Sequence, residues 1–233
     1  MTGVVPDGFD AYVRVLHPVD TDDHPVVRWR DVAAATGRQV HPLVQWWRLI
    51  DAPDSLNPRS ELWDGGEPET GALDRPDGQV LVELLASHTT TPDDAYFALW
   101  EGSGHFNGSG IMFGIDEAGN SFSAPIPVSA TAARLVAGPR LQHPGRNYLV
   151  LAGALAEAST IAELVGAQPW ALSGNLVWPA DHAWCVGTEV DLDSTIVGCS
   201  RPAADEILSC AELEALPISP ADSLQYDADR INS

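Results

Sequence analysis

Three carboxylates near the end of the chain have the residue type and the spacing of a metal site. Glu189, Asp191 and Asp193 alternate with apolar residues inside the segment 184–197. Because side chains of a β-strand point to its two faces in turn, this alternation predicts one strand with all three carboxylates on the same face. Successive carboxylates would be about 7 Å apart along it. Carboxylate oxygens suit a hard divalent cation, so these residues are a candidate metal site.

Two other surroundings would also accommodate these carboxylates. A solvent-facing strand of an antiparallel sheet needs no ligand at all. Arginine side chains on a neighbouring strand would offset the repulsion between like charges. Spacing along one strand does not by itself bring three carboxylates to one ion, whose bonds are ~2–2.6 Å long. The sequence therefore leaves the metal, solvent and arginine interpretations open.

A second candidate site lies in a part of the chain that carries no acid. No aspartate or glutamate occurs between Glu117 and Glu157. Arg140, His143 and Arg146 fall there, around a turn rich in glycine and proline that would bring the three side chains near one another. Guanidinium groups bind carboxylate or phosphate through paired hydrogen bonds, so these residues are a candidate anion-ligand site. The alternative is that the arginines pair with the acidic strand of the same chain.

Lysine is absent from the chain, which excludes several mechanisms. All 12 basic residues are arginines. A P-loop places a lysine on the nucleotide phosphates, protein kinases use one on their third strand, and pyridoxal phosphate enzymes need a lysine amine. We expect no cofactor of these kinds, and a divalent metal is the cofactor that the sequence leaves open.

The charge balance limits the partners. Acids outnumber bases 33 to 12, which gives a net charge of −21. Such a surface repels the phosphates of nucleic acids and anionic membranes, so we expect neither as a partner and favour a basic protein instead. Three cysteines without a CxxC pair are typical of reduced thiols. Neither a signal peptide nor a membrane span is evident, and we expect a cytoplasmic protein.

The elements that must position these residues indicate an α+β protein. Helices and strands mix without strict alternation, and short connections favour a mainly antiparallel sheet with helices packed on one side. We expect one domain over 1–233, with an N-terminal helical pair at about 26–50 and an irregular acidic loop at about 51–78. Further helices are predicted at 79–87, 130–137, 160–165 and 202–209, and strands at 95–100, 146–152 and 184–197.

Four segments, namely 9–18, 27–37, 91–102 and 178–195, resemble a family of uncharacterised actinobacterial proteins. They read FDAYVRVLHP, VRWRDVAAATG, TPDDAYFALWEG and WPADHAWCVGTEVDLDST. The resemblance spans most of the chain. It implies a bacterial source and a cytoplasmic location, and it assigns no activity and no catalytic residue.

No complete catalytic motif is present, neither GxSxG nor HExxH. The leading hypothesis is therefore a non-catalytic binding or accessory protein that contacts another protein, a basic one, through its acidic surface. One alternative is a metal-assisted hydrolase that uses Glu189, Asp191 and Asp193, with Arg140 and Arg146 holding an anionic substrate. The other is a protein that binds a small anion through the arginines.

Overall fold

A computed structural model describes residues 3–19, 26–56, 58–73, 75–115, 119–143, 145–165 and 174–232. Its strands are β1 (Ala11–Leu16), β2 (Ala95–Trp100), β3 (Ile111–Ile115), β4 (Ser121–Pro125), β5 (Arg140–His143), β6 (Arg146–Gly153), β7 (Leu176–Pro179), β8 (Cys185–Thr188), β9 (Ser194–Cys199) and β10 (Ala215–Ile218). Eight of them form one antiparallel sheet in the order β10-β1-β9-β8-β7-β2-β6-β5, and β3 pairs with β4 in a separate hairpin.

The structure contains helices as well as this sheet, which confirms the α+β class predicted from the sequence. None of the described helices has the length and the apolar character needed to cross a membrane. They are α1 (Trp29–Thr36), α2 (Trp46–Leu49), α3 (Arg75–Ala86), α4 (Gly104–Asn107), α5 (Ala130–Val136), a 3₁₀ helix (Leu155–Thr160), α6 (Ile161–Leu164) and α7 (Arg201–Ser209).

The main core lies between one face of the sheet and a layer of helices. Alternation along β2 shows how the sequence builds it, because Phe97 and Leu99 point into this core while Ala98 points to the opposite face. Leu85 of α3 and Ile207 of α7 pack against the same strands and are almost fully buried. Helices therefore cover one side of the sheet, as predicted.

The N-terminal helical pair forms a second cluster beyond the end of β1. Trp29 of α1 and Trp46 of α2 pack edge to face with ring centroids 5.3 Å apart. Helix α1 ends at Gly37, whose φ of 72° is the left-handed conformation expected of a glycine cap. Helix α2 is shorter than the helical pair predicted at about 26–50 suggests, since only Trp46–Leu49 is helical.

The acidic loop is shorter than predicted because α3 begins at Arg75. The helix includes Pro76, because proline is well tolerated in the first turn of a helix, where a backbone N–H would have no partner within the helix. Apart from position 57, residues 51–73 are described and contain no helix or ladder strand.

The predicted single strand at 184–197 is wrong. β8 ends at Thr188 and β9 begins at Ser194, and the turn between them is closed by a 3.0 Å hydrogen bond from the Leu192 N–H to the Glu189 carbonyl. The apolar and acidic residues alternate through this turn although it pairs with no strand. The turn is instead held by the backbone of the acidic loop, where the Gly71 N–H donates to the Leu192 carbonyl at 2.9 Å.

Candidate functional site

The predicted site residues lie at one end of the sheet. Because the sheet is antiparallel, β2, β5 and β8 end there, whereas β6, β7 and β9 begin there. We call this region the polar end of the sheet, and its strand termini are Trp100, His143, Arg146, Thr188 and Ser194. The fold thus places the carboxylate segment and the arginine-bearing turn in the same region, although they are far apart in sequence.

Arg146 joins the two predicted sites. Its Nη2 lies 2.5 Å from Oε1 of Glu189 and 2.6 Å from Oδ2 of Asp191. The guanidinium carbon also lies 4.8 Å from the ring centroid of Trp100, a cation–π contact. Burial lowers the pKa of Arg146, but the hydrogen bond and charge of Glu189 and the charge of Asp191 outweigh it and raise that pKa. The arginine is a fixed cation held by its own chain.

Asp193 belongs to a different interaction. Its Oδ1 lies 3.2 Å from Nη2 of Arg14, a side chain only 1% exposed. The same guanidinium donates to the Ser194 hydroxyl at 2.9 Å and to the carbonyls of Pro42 and Val44 at 3.0 and 2.8 Å. Arg14 therefore ties β1 and β9 to the segment that leads into α2, and Asp193 neutralises a buried structural cation.

The predicted anion site is divided between the two faces of the sheet. In the ladder, Arg140 is opposite Leu149, whose side chain enters the main core, whereas His143 is opposite Arg146. Positions 140 and 143 point to opposite faces of β5. Arg140 instead donates to one carboxylate oxygen of Glu101 at 2.8 and 2.9 Å. The structure brings His143 and Arg146 together and separates Arg140 from both.

His143 lies against Tyr148 on the face that carries Arg146. The two rings meet edge to face with centroids 5.9 Å apart. The Nδ1 atom of His143 is buried, and no described residue forms a hydrogen bond with it. Burial and the nearby charge of Glu189 raise the pKa of Tyr148, and Arg146 acts in the opposite direction. Tyr148 is thus a neutral neighbour of the Arg146 ion pairs at ordinary pH.

The metal hypothesis receives no geometric support from the part of the chain that is described. No group of three or more histidine, cysteine, aspartate or glutamate side chains in it is arranged to hold a metal ion. Glu189 and Asp191 point to Arg146, and Asp193 points to Arg14. Of the three interpretations that the sequence left open, arginine pairing accounts for the contacts.

A buried polar network that the sequence did not predict lies next to these residues. His17, fully buried, directs Nδ1 to the carbonyl of Glu69 at 2.7 Å and Nε2 to the hydroxyl of Thr195 at 3.0 Å. Thr195 in turn lies 2.8 Å from the Thr188 hydroxyl. Since a carbonyl only accepts, Nδ1 carries the proton. Burial lowers the pKa of His17 despite the opposing effect of the Glu69 carbonyl.

Two of the three cysteines, Cys185 and Cys199, are buried thiols. Burial raises the pKa of Cys185 to about 12 and that of Cys199 to about 11. A thiol with such a pKa is almost entirely protonated at neutral pH, and the thiolate is the nucleophilic form. The two cysteines act as small apolar side chains of the sheet.

A separate exposed surface was not predicted. The β3–β4 hairpin exposes Ile111, Phe113 and Ile115 on one face, and Met112 and Phe122 on the other. The sequence signal was an uncharged run, Ile-Met-Phe-Gly-Ile, followed after a short break by Gly119, whose φ is 84°. Glycine abundance in this stretch favoured a loop over a hairpin.

Comparisons with protein-family models, with curated proteins and with solved structures found no match to this chain. The resemblance to actinobacterial proteins thus stays a prediction.

Proposed function

We propose that this chain is a non-catalytic binding protein of the cytoplasm, which contacts a basic protein through an acidic surface. The observation that carries the proposal is the charge of the helical layer. Helix α3 packs against α7 and against the 3₁₀ helix, so their outer surfaces are neighbours. Exposed carboxylates stand on all three, and they are Glu83, Glu157, Asp205 and Glu206.

These carboxylates are available to a partner. Glu206 accepts from the His88 ring at 2.6 Å, and Glu157 accepts from the Ala154 N–H at the start of its own helix. Within the described ranges, no arginine forms an ion pair with Glu83, Glu157 or Asp205. An ion pair with a partner's lysine or arginine would not require breaking an internal one.

The whole charge of the chain supports the same partner. Even if every one of the 12 arginines neutralised one of the 33 acids, 21 carboxylates would remain. Fields of this strength steer an oppositely charged protein over roughly one Debye length, ~8–10 Å at physiological salt. We therefore expect fast association with a basic partner that weakens as salt rises.

The contacts at the polar end of the sheet argue against the alternatives. A metal-assisted hydrolase would need Glu189 and Asp191 to leave Arg146, and an anion-binding protein would need Arg146 to leave both. Either change leaves a partly buried charge without its partner, which is costly. Both alternatives remain proposals, and each requires breaking ion pairs of Arg146 that binding of a basic protein leaves intact.

The test is capture of partners from a native cytosolic extract at low and moderate salt. One variant neutralises the helical layer (Glu83→Gln, Asp205→Asn and Glu206→Gln). A matched control neutralises three exposed acids elsewhere (Asp7→Asn, Glu61→Gln and Asp227→Asn). We expect wild type and control to retain a basic protein that the layer variant loses. Retention by all three proteins, or no partner at either salt, would contradict the proposal.

A further inference from the structure

Residues 3–9, which precede β1, lie across β8 and β9 on the face of the sheet opposite the helices, and we call them the strap. Val5 of the strap is 1% exposed and packs in the cluster that contains Cys185 of β8. Val4 and Phe9 are partly buried against the same cluster. The strap therefore contacts the sheet through apolar side chains near its two ends.

Two glycines of the sheet make room for these contacts. A Cβ on Gly187 of β8 would lie 2.6 Å from the Val4 carbonyl oxygen. A Cβ on Gly198 of β9 would lie 2.4 Å from the ring of Phe9. A side chain at either position would occupy the space of the strap, so its close approach to the sheet depends on glycine. The sheet surface is thus shaped to receive this segment.

The strap is held to the sheet by few polar contacts. In the part of the chain that is described, no backbone–backbone hydrogen bond joins it to a strand. The Tyr12 hydroxyl donates to the Pro6 carbonyl at 3.1 Å and accepts from the Phe9 N–H at 3.2 Å. Between these two residues, exposed Gly8 has a φ of 111°, which glycine adopts readily and which suits a hinge. Segments with few buried contacts and few hydrogen bonds have low local stability.

Cys185 lies between the two places where the strap contacts the sheet. It precedes Gly187 by two positions on the same face of β8, and it is the ladder partner of Gly198. Cys199 is also buried, but its side chain belongs to the main core on the opposite face, under the helices. The two thiols therefore respond to the uncovering of opposite faces of one sheet.

We propose that the strap opens as a unit while the sheet stays folded, and that its opening uncovers the Cys185 thiol and the glycine-lined surface around it. Opening breaks the contacts of Val5 and Phe9 and the hydrogen bonds of the Tyr12 hydroxyl, and it leaves the β-ladders intact. The strap is a removable cover on the face opposite the helical layer. The inference is independent of the binding of a basic protein, and capture of such a partner is unaffected by its outcome.

Thiol labelling of the folded full chain, read by mass spectrometry of each cysteine-containing peptide, tests the inference. Burial raises the pKa of Cys185 to about 12, so the covered thiol is almost entirely protonated and labelling measures opening. We expect Cys185 to be labelled at least ~10-fold faster than Cys199, because local opening is more frequent than global unfolding. Val5→Ala shortens a buried side chain of the strap and should raise the Cys185 rate by ~5-fold or more. Tyr12→Phe removes the hydroxyl and should act in the same direction.

The matched control is Val13→Ala, which shortens an equally buried valine of the main core. Its contacts persist when only the strap opens, so the Cys185 rate should stay within ~2-fold of wild type while the Cys199 rate rises. Equal labelling of the two thiols in wild type, or none of either, would overturn the inference. So would a Cys185 rate that Val13→Ala raises as much as Val5→Ala does, since global unfolding would then expose the thiol. A Cys185 rate that Val5→Ala and Tyr12→Phe both leave unchanged would also overturn it, because another segment would then be the cover.

Discussion

At the scale of single residues, Arg146 is the cation that pairs with the carboxylates at the polar end of the sheet. Glu189, 17% exposed as a side chain, depends on this arginine, whereas Asp191 is 79% exposed and well solvated. The two carboxylates therefore differ in what they lose when the arginine is removed. A partly buried charge that loses its partner keeps its desolvation cost.

We expect Arg146→Met to lower the free energy of unfolding by about 1–2 kcal/mol, because Glu189 is left without its cation. Urea unfolding measures the change. Asp191→Asn is the matched control and should cost less than ~0.5 kcal/mol, as exposed ion pairs contribute little. If Asp191→Asn cost as much as Arg146→Met, the role given to Glu189 would be wrong.

At the scale of elements, one buried histidine connects three parts of the fold. His17 follows β1, hydrogen-bonds to Thr195 of β9 and donates to the acidic loop through the Glu69 carbonyl. Its protonation would break the hydrogen bond in which Nε2 accepts. The folded protein thus binds fewer protons than the unfolded chain at and below the ordinary histidine pKa of about 6.5.

Stability should accordingly be lost as pH falls. Since the pKa of His17 is lowered by folding, its contribution is complete above pH ~6.5 and decreases below it, by at most ~1.4 kcal/mol per pH unit. Urea unfolding from pH 7.5 to 5.5, as a rough range around that pKa, should show a flatter dependence for His17→Gln. The exposed His182→Asn should keep the wild-type slope. Equal slopes in wild type and His17→Gln would exclude this account.

Several elements could be predicted because neighbouring residues determine them, whereas a turn held by a distant part of the chain could not. The apolar run of β2, the Gly37 cap of α1 and the Ser200 cap of α7 are read directly from neighbouring residues. The turn between β8 and β9 was missed because its apolar residues pack on a loop from residue 71, over a hundred positions away in the chain. Periodicity cannot distinguish that packing from a strand's own alternation.

The same limit applied to the candidate site. Sequence suggested that arginines would neutralise the carboxylates, and this pairing is present for Arg146. It gave no means of finding Arg14 as the partner of Asp193, because that contact needs the register of β1 against β9. It also placed Arg140 with Arg146, although Arg140 is opposite Leu149 on one face of the β5–β6 pair and Arg146 is opposite His143 on the other face.

At the scale of the whole molecule, the proposed partner follows from the charge of the chain. We expect the exposed carboxylates of the helical layer, such as Glu83, Asp205 and Glu206, to contact a basic protein. Raised salt should weaken this contact, because screening reduces the attraction between opposite charges.

The absence of lysine provides the most direct test of the central claim. A carbodiimide joins a carboxylate to an amine, and this chain has 33 carboxylates but no side-chain amine. Apart from cross-links to a terminal amine, either its own or that of another copy, its acids must be joined to another protein. In native extract at low salt we predict cross-links from Glu83, Asp205 and Glu206 to lysines of a basic protein. Cross-links confined to Glu189 and Asp191, or none to any protein, would contradict the account.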